Sequence, residues 1–200
     1  MDTMAVAGGT GVVGRKVVGA LREQGVEVRV LSRATGVDLV TGVGLDRALD
    51  GVTAVVDVAN TSTTNARRSL AFFEATTTNL LRAARRAGVD HHLALSIVGI
   101  DRVDLGYYAG KRRQEQLVRA GEVPWTILRA TQFHEFPAQV LSVTRKGPVA
   151  VVPRMRSQPV AARTVGTHLV DLAESRPGGT VELAGPDVHE LPALARRWLG

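Results

Sequence analysis

Seven residues near the N-terminus, Gly8-Gly9-Thr10-Gly11-Val12-Val13-Gly14, restrict the fold more than any other part of the chain. They follow a short strand-like run, Thr3–Ala7, and open a stretch in which Val13, Val17, Val18 and Leu21 recur at helical spacing up to Gly25. Strand, glycine loop and helix in that order form the opening unit of a doubly wound α/β sheet. Gly8 permits the tight turn out of the strand, Gly11 lets the backbone approach a pyrophosphate, and Gly14 allows close helix–strand packing. Free N–H groups at the helix start then face the phosphates, so Gly8, Thr10, Gly11, Val12, Val13 and Gly14 are expected to bind a dinucleotide.

The pattern repeats along the chain. Strands are expected at Thr3–Ala7, Val26–Leu31, Ala54–Val58, Leu93–Ile97, Trp125–Leu128 and Val181–Ala184, with a further short one before Asp38. Helices are expected over about 64–87, closed by Gly88, and about 105–120, stopped by Gly121 and Pro124. Short strands rich in Val, Ile and Leu are those of a parallel sheet covered on both faces. The fold class is therefore α/β: a Rossmann-type, doubly wound, mainly parallel sheet. Residues 1–200 read as a single NAD(P)-binding domain, without repeat or linker, and about 131–200 as a reduced substrate-side region broken by Pro137, Pro148, Pro153 and Pro159. At this length roughly 31,000 Å² of unfolded surface should shrink to about 9,100 Å², enough for a core.

Composition excludes other classes. The chain has no cysteine, hence no disulfide and no thiol catalysis. No apolar run approaches a membrane span, and the N-terminus lacks a signal-peptide pattern, so a cytoplasmic protein is expected. The net charge of +6 invites nucleic acid, but the arginines are scattered and only 4% of residues are aromatic, leaving no stacking platform. A solvated basic surface that draws in anionic ligands is the expectation, with neither nucleic acid nor membrane as partner. His91-His92 lacks a third ligand at metal spacing, and His134-Glu135 lacks a second histidine, so no metal site is expected.

The nucleotide choice is read at the end of the second strand. An acid there would accept the adenosine ribose hydroxyls and favour NAD; the chain has Ser32-Arg33 instead. Arg33 is positioned to meet a 2′-phosphate, and a charge-assisted bond of roughly 1.5–3 kcal/mol makes NADP(H) the expected cofactor over NAD(H). Asp38 and Leu39 are expected beside the adenine, and Ala59 and Asn60 beside its ribose.

The chemistry is sought at Ser96, which tips a strand, and at Tyr107 and Lys111, four apart and so on one helix face. A phenol can donate a proton to a carbonyl oxygen as hydride arrives, an ammonium can lower the phenol's pKa and hold the nicotinamide ribose, and Ser96 can orient the carbonyl. The same spacing also arises in an ordinary amphipathic helix.

These features resemble the atypical short-chain dehydrogenase/reductases, in particular the NmrA-like NAD(P)H-binding proteins. The resemblance covers most of the chain and rests on the glycine loop, Leu31-Ser32-Arg33, Asp38-Leu39, Leu95-Ser96-Ile97-Val98-Gly99, Tyr107 with Lys111, and Trp125-Thr126-Ile127-Leu128-Arg129 followed by Thr131-Gln132-Phe133. It implies cofactor across the carboxyl edge of the sheet, Thr131 near the nicotinamide, and Phe133, His134 and Phe136 lining a substrate pocket. Two functions are expected from it: an NADPH-dependent oxidoreductase acting on a small carbonyl or quinone, or a non-catalytic NADP(H)-sensing regulator. The helices around 67–87 and 105–120 offer a face for a homodimer.

Overall fold

The computed structural model describes residues 2–103 and 105–199. The first unit is β1 (Thr3–Ala7), the glycine loop, α1 (Val12–Glu23) and β2 (Glu27–Leu31). Then come α2 (Leu45–Leu49), β3 (Ala54–Asp57), α3 (Ala66–Arg86), β4 (His91–Ile97), α4 (Gly106–Ala120) and β5 (Trp125–Ala130). The remainder comprises α5 (Phe136–Thr144), the hairpin β6 (Arg145–Lys146) and β7 (Val149–Ala150), β8 (Arg156–Ser157), α6 (Ala162–Ser175), β9 (Gly179–Leu183), β10 (His189–Glu190) and α7 (Leu191–Leu199).

Six parallel strands form the central sheet in the order β2-β1-β3-β4-β5-β9. β1 is buried throughout and alternates its side chains between two cores. Met4 and Val6 face α1 and α6, packing with Val17, Leu21, Val165 and Leu169. Ala5 and Ala7 face the other layer, with Val55, Leu80 and Ala84. Burial on both faces explains why the strand sequences are continuously apolar rather than alternating. After β2 the chain crosses back over β1 to place β3 on its other side, and the order reversal opens a crevice at the carboxyl ends of β1 and β3.

Two expectations are corrected. No strand precedes Asp38. Ser32 and Thr35 form a reciprocal cap, Gly36 turns in the left-handed region (φ 78°), and Asp38 Oδ1 accepts from the Val40 and Thr41 amides, so the backbone is used up in turns. The segment after Ala130 is more regular than its prolines suggest, because α6 carries a complete apolar face into the core. Ahead of α6 the packing is shallow: Val143, Val149 and Val151 are exposed, and the folded surface of 10749 Å² exceeds the expected value. No helix among the described residues is long and apolar enough to cross a membrane.

Candidate functional site

The glycine loop sits at the order reversal. Gly8 leaves β1 at φ 77°, and a Cβ there would lie 2.7 Å from the Val58 carbonyl oxygen and 2.8 Å from the Ala59 Cα. Gly14 is equally obligatory, since its Cβ would fall 2.2 Å from the Gly8 carbonyl oxygen. A Cβ on Gly11 would meet only that same oxygen, at 3.2 Å, and otherwise open space. Thr10, Gly11 and Val12 are exposed, and no backbone acceptor serves the Val12 and Val13 amides among the described residues. A bare loop with unpaired N–H groups at a helix N-terminus fits a dinucleotide pyrophosphate.

Around this loop the expected residues fall into three groups. Ser32 and Arg33 follow β2; Ser32 supports the cap, whereas Arg33 is exposed and its guanidinium has no ion-pair or hydrogen-bond partner among the described residues. Asp38 and Leu39 form a loop that Asn79 of α3 anchors by donating Nδ2 to the Leu39 and Val40 carbonyls, at 3.1 and 2.8 Å. Asn79 is thus a loop anchor. Ala59 is buried against Gly8, and the next residue, Asn60, accepts a 2.7 Å hydrogen bond on Oδ1 from the Tyr107 hydroxyl.

Tyr107 stands in the first turn of α4, with its ring edge-on to those of Phe73 and Tyr108. Ser69 Oγ donates to its carbonyl at 2.9 Å. Burial, with a further contribution from Tyr108, pushes the phenol above its ordinary value. Lys111 is not among the causes of that shift. Its ammonium donates to the Leu95 carbonyl at 2.5 Å and to Gln114 Oε1, lies 4.9 Å from the Phe73 ring centre, and is only 5% exposed. Burial lowers it to about 8, against the pull of Asp57 and Glu115.

The Ser96 hydroxyl is buried and donates to Glu115 Oε1 at 2.5 Å. Glu115 in turn takes a forked pair of bonds from Arg129, at 2.9 and 2.7 Å, and one from Arg119 at 2.7 Å. Burial alone would raise this carboxyl; the bonds from Arg129 and Ser96 and the Arg129 charge outweigh it and hold Glu115 below the ordinary range. Arg129 is raised by the same bonds and also pairs with Asp101 at 2.9 Å.

On the substrate side, Thr131 Oγ1 donates to the Gln158 carbonyl at 2.6 Å, bracing the segment before α6. Phe133 packs on the core and bridges to Val160, His134 is exposed, and Phe136 opens α5. No group of three or more metal-ligating side chains occurs among the described residues.

The buried partners Asp57, Gln114, Glu115 and Arg129 were not singled out from the sequence. The signals were present: Gln114 and Glu115 follow Lys111 by three and four positions, hence on its helix face, and Asp57 and Arg129 are charges inside otherwise apolar strands.

Comparison with known proteins identifies the family and the fold. A family model described as NAD(P)H-binding matches residues 8–176. The (4-alkanoyl-5-oxo-2,5-dihydrofuran-3-yl)methyl phosphate reductase of Streptomyces griseus is 37% identical over 143 residues, which cover 64% of this chain and 47% of that protein. The matched part thus spans about half the length of that relative. Among solved structures, the UDP-N-acetylglucosamine 4-epimerase from Bacillus cereus superposes with a TM-score of 0.78 at 19% identity, covering 98% of this chain and 83% of that one. A short-chain dehydrogenase/reductase superfamily protein from Agrobacterium tumefaciens with bound NAD gives 0.74 at 22% identity, covering 98% and 81%. A glycine loop at the order reversal of a six-stranded parallel sheet, matched over most of its length by one family, makes this chain a member of the NAD(P)H-binding family, with a nicotinamide dinucleotide as its cofactor.

Proposed function

We propose that the chain is an NADPH-dependent oxidoreductase that reduces a small activated carbonyl or quinone compound, with Tyr107 as proton donor. The observation that carries this reading is the 2.7 Å bond from the Tyr107 hydroxyl to Asn60, whose neighbour Ala59 abuts Gly8. A phenol proton is thereby held at the lip of the crevice that the glycine loop opens. When bound, the dihydronicotinamide supplies a hydride. The chain's part is the proton: burial keeps Tyr107 protonated across the neutral range, so it acts as an acid, and a substrate oxygen takes the place of Asn60 as acceptor. Lys111 has three N–H donors, of which Leu95 and Gln114 engage two; the third serves the cofactor's ribose. Ser96 acts through Glu115 as a positioning residue, and Thr131 by bracing the segment above. Phe133, His134 and Phe136 line the substrate side. Unpaired Arg33, with no acid at the end of β2, supports NADP(H) over NAD(H). The Streptomyces griseus relative, named as the reductase of an oxo-dihydrofuranyl phosphate, supports reduction of a small carbonyl compound.

The test follows NADPH oxidation against quinones, diketones and aldehydes, with Tyr107→Phe beside wild type. Loss of a general acid should lower kcat about 10²–10⁴-fold. A variant that reduces a good substrate as fast as wild type removes Tyr107 from the mechanism.

One observation favours a second reading. Ser96, Tyr107 and Lys111 each have a separate protein partner instead of converging on one point. On this reading the chain is a non-catalytic NADP(H)-responsive regulator of another protein. NADPH binding without turnover, coupled to a change in partner affinity, supports it; partner binding that ignores the cofactor sinks it.

A further inference from the structure

Behind Tyr107 runs a chain of buried polar groups that the proposed chemistry leaves unexplained. Asp57 ends β3 with 1% of its surface exposed. Its Oδ1 accepts the Ala59 amide at 3.0 Å, fixing the loop that carries Asn60, and its Oδ2 accepts Gln114 Nε2 at 2.8 Å. Gln114 is as buried as Asp57 and turns its Oε1 to the Lys111 ammonium. An amide has one donor end and one acceptor end, and a carboxylate only accepts. With Asp57 ionised, Gln114 must present its NH₂ to Asp57 and therefore its oxygen to Lys111.

We propose that Asp57 and Gln114 are positioning residues that fix the direction of this hydrogen-bond chain, so that Lys111 is held as an oriented ammonium against the Leu95 carbonyl. The inference rests on the reading of Lys111 as a group that serves the cofactor. Four elements meet at that ammonium: Asp57 from β3, the Phe73 ring from α3, the Leu95 carbonyl from β4, and Gln114 and Glu115 from α4. Among the described residues only Asp57 and Glu115 bring opposite charge, and Glu115 is already committed to Arg129, Arg119 and Ser96. In Asp57→Asn the chain loses its charge and its fixed direction: Gln114 can reverse and set its NH₂ against Lys111. Gln114→Leu removes the acceptor outright. Both variants make the neutral amine easier to reach.

The chain has three lysines, Lys16, Lys111 and Lys146, so the Lys111 side chain can be titrated by NMR in protein labelled at the lysine ε-carbons, with Lys111→Arg giving the assignment. The wild-type midpoint should fall near 8, and Asp57→Asn and Gln114→Leu should each lower it by about a unit, equivalent to a tenfold change in proton affinity. NADPH affinity, measured by fluorescence across the same pH range, should weaken at correspondingly lower pH in both variants, with KM for NADPH rising more than kcat falls. The double variant should add little to either single one, because both break one chain. Unchanged midpoints in folded variants, or fully additive effects, overturn the proposal. If neither variant folds, the near-isosteric Gln114→Met, which also removes the amide acceptor, decides: a lowered Lys111 midpoint supports the chain and an unchanged one overturns it. Shifted midpoints in a protein that oxidises no NADPH would count against the reductase reading alone; unshifted midpoints in an active reductase would count against the relay alone.

Discussion

The smallest scale at which function is decided is the single unpaired cation. At the end of β2, Arg33 is exposed, and its guanidinium has no partner among the described residues. Its guanidinium can meet a ribose phosphate in a forked geometry that a lysine cannot reproduce. Arg33→Ala should weaken NADPH binding by about 10–100-fold, from the roughly 1.5–3 kcal/mol of a charged hydrogen bond, and change NADH binding little. Fluorescence titration with both dinucleotides checks this; equal losses for the two would assign Arg33 to general steering rather than to the 2′-phosphate.

At the scale of elements, the position of Tyr107 depends on how closely α4 lies on α3. A Cβ at Gly110 would sit 2.2 Å from Ser69 Oγ and 2.6 Å from Phe73 Cδ2. Ser69 is the residue that holds the Tyr107 carbonyl, and Phe73 is the ring beneath both Tyr107 and Lys111. Gly110→Ala should therefore destabilise the protein by about 1–3 kcal/mol and also lower kcat/KM, as α4 moves off α3. Urea unfolding together with NADPH oxidation tests it, and a stability loss with unaltered kcat/KM would detach the helix contact from the site. The sequence made these elements legible because their signals are local. Asn65 caps α3, Gly88 follows it, Gly121 ends α4, and the expected bounds are within a few residues of those observed. The strand imagined before Asp38 and the regularity of α6 were not legible, since side-chain turns decide the first and core contacts the second. At the site, the residue types and the crevice were readable. The partners of Ser96 and Lys111 were not, because they depend on which helix face meets which strand end.

For the whole molecule, buried titratable groups set the pH range of stability. His91 is held neutral down to about 4 by burial, with Arg176 and His92 adding to the effect, and burial lowers His92 too. Both His92 ring nitrogens lack a hydrogen-bond partner among the described residues. The unfolded chain takes up protons on these rings below about 6.5 and the folded one does not, so stability is lost as pH falls from 6.5 towards 4. His91 alone would contribute on the order of 2–3 kcal/mol to this loss. Glu115, held low in the fold, acts in the same direction in acid. Above pH 10 the sign reverses, because burial keeps Tyr107 and Tyr108 protonated in the fold while the unfolded chain ionises. Urea midpoints should fall as pH drops below about 6.5, rise from about 8 to 10, where only the unfolded chain keeps the Lys111 proton, and fall again above that; His91→Gln should flatten the acid limb. An acid limb of unchanged slope in that variant would place the proton uptake elsewhere.

The strand order also dictates a schedule. Once β3 has been laid beside β1, each new strand joins the one added before it, so β4 and β5 extend the sheet outward as they leave the ribosome. β9 alone must wait, since Thr126 and its partner Gly179 close a loop of about 50 residues that holds the shallow C-terminal segments and α6. Refolding should accordingly show an early phase in which the first five strands gain amide protection and a later one in which β9 docks. The nucleotide crevice, framed by β1 and β3, is complete before the last edge of the sheet arrives.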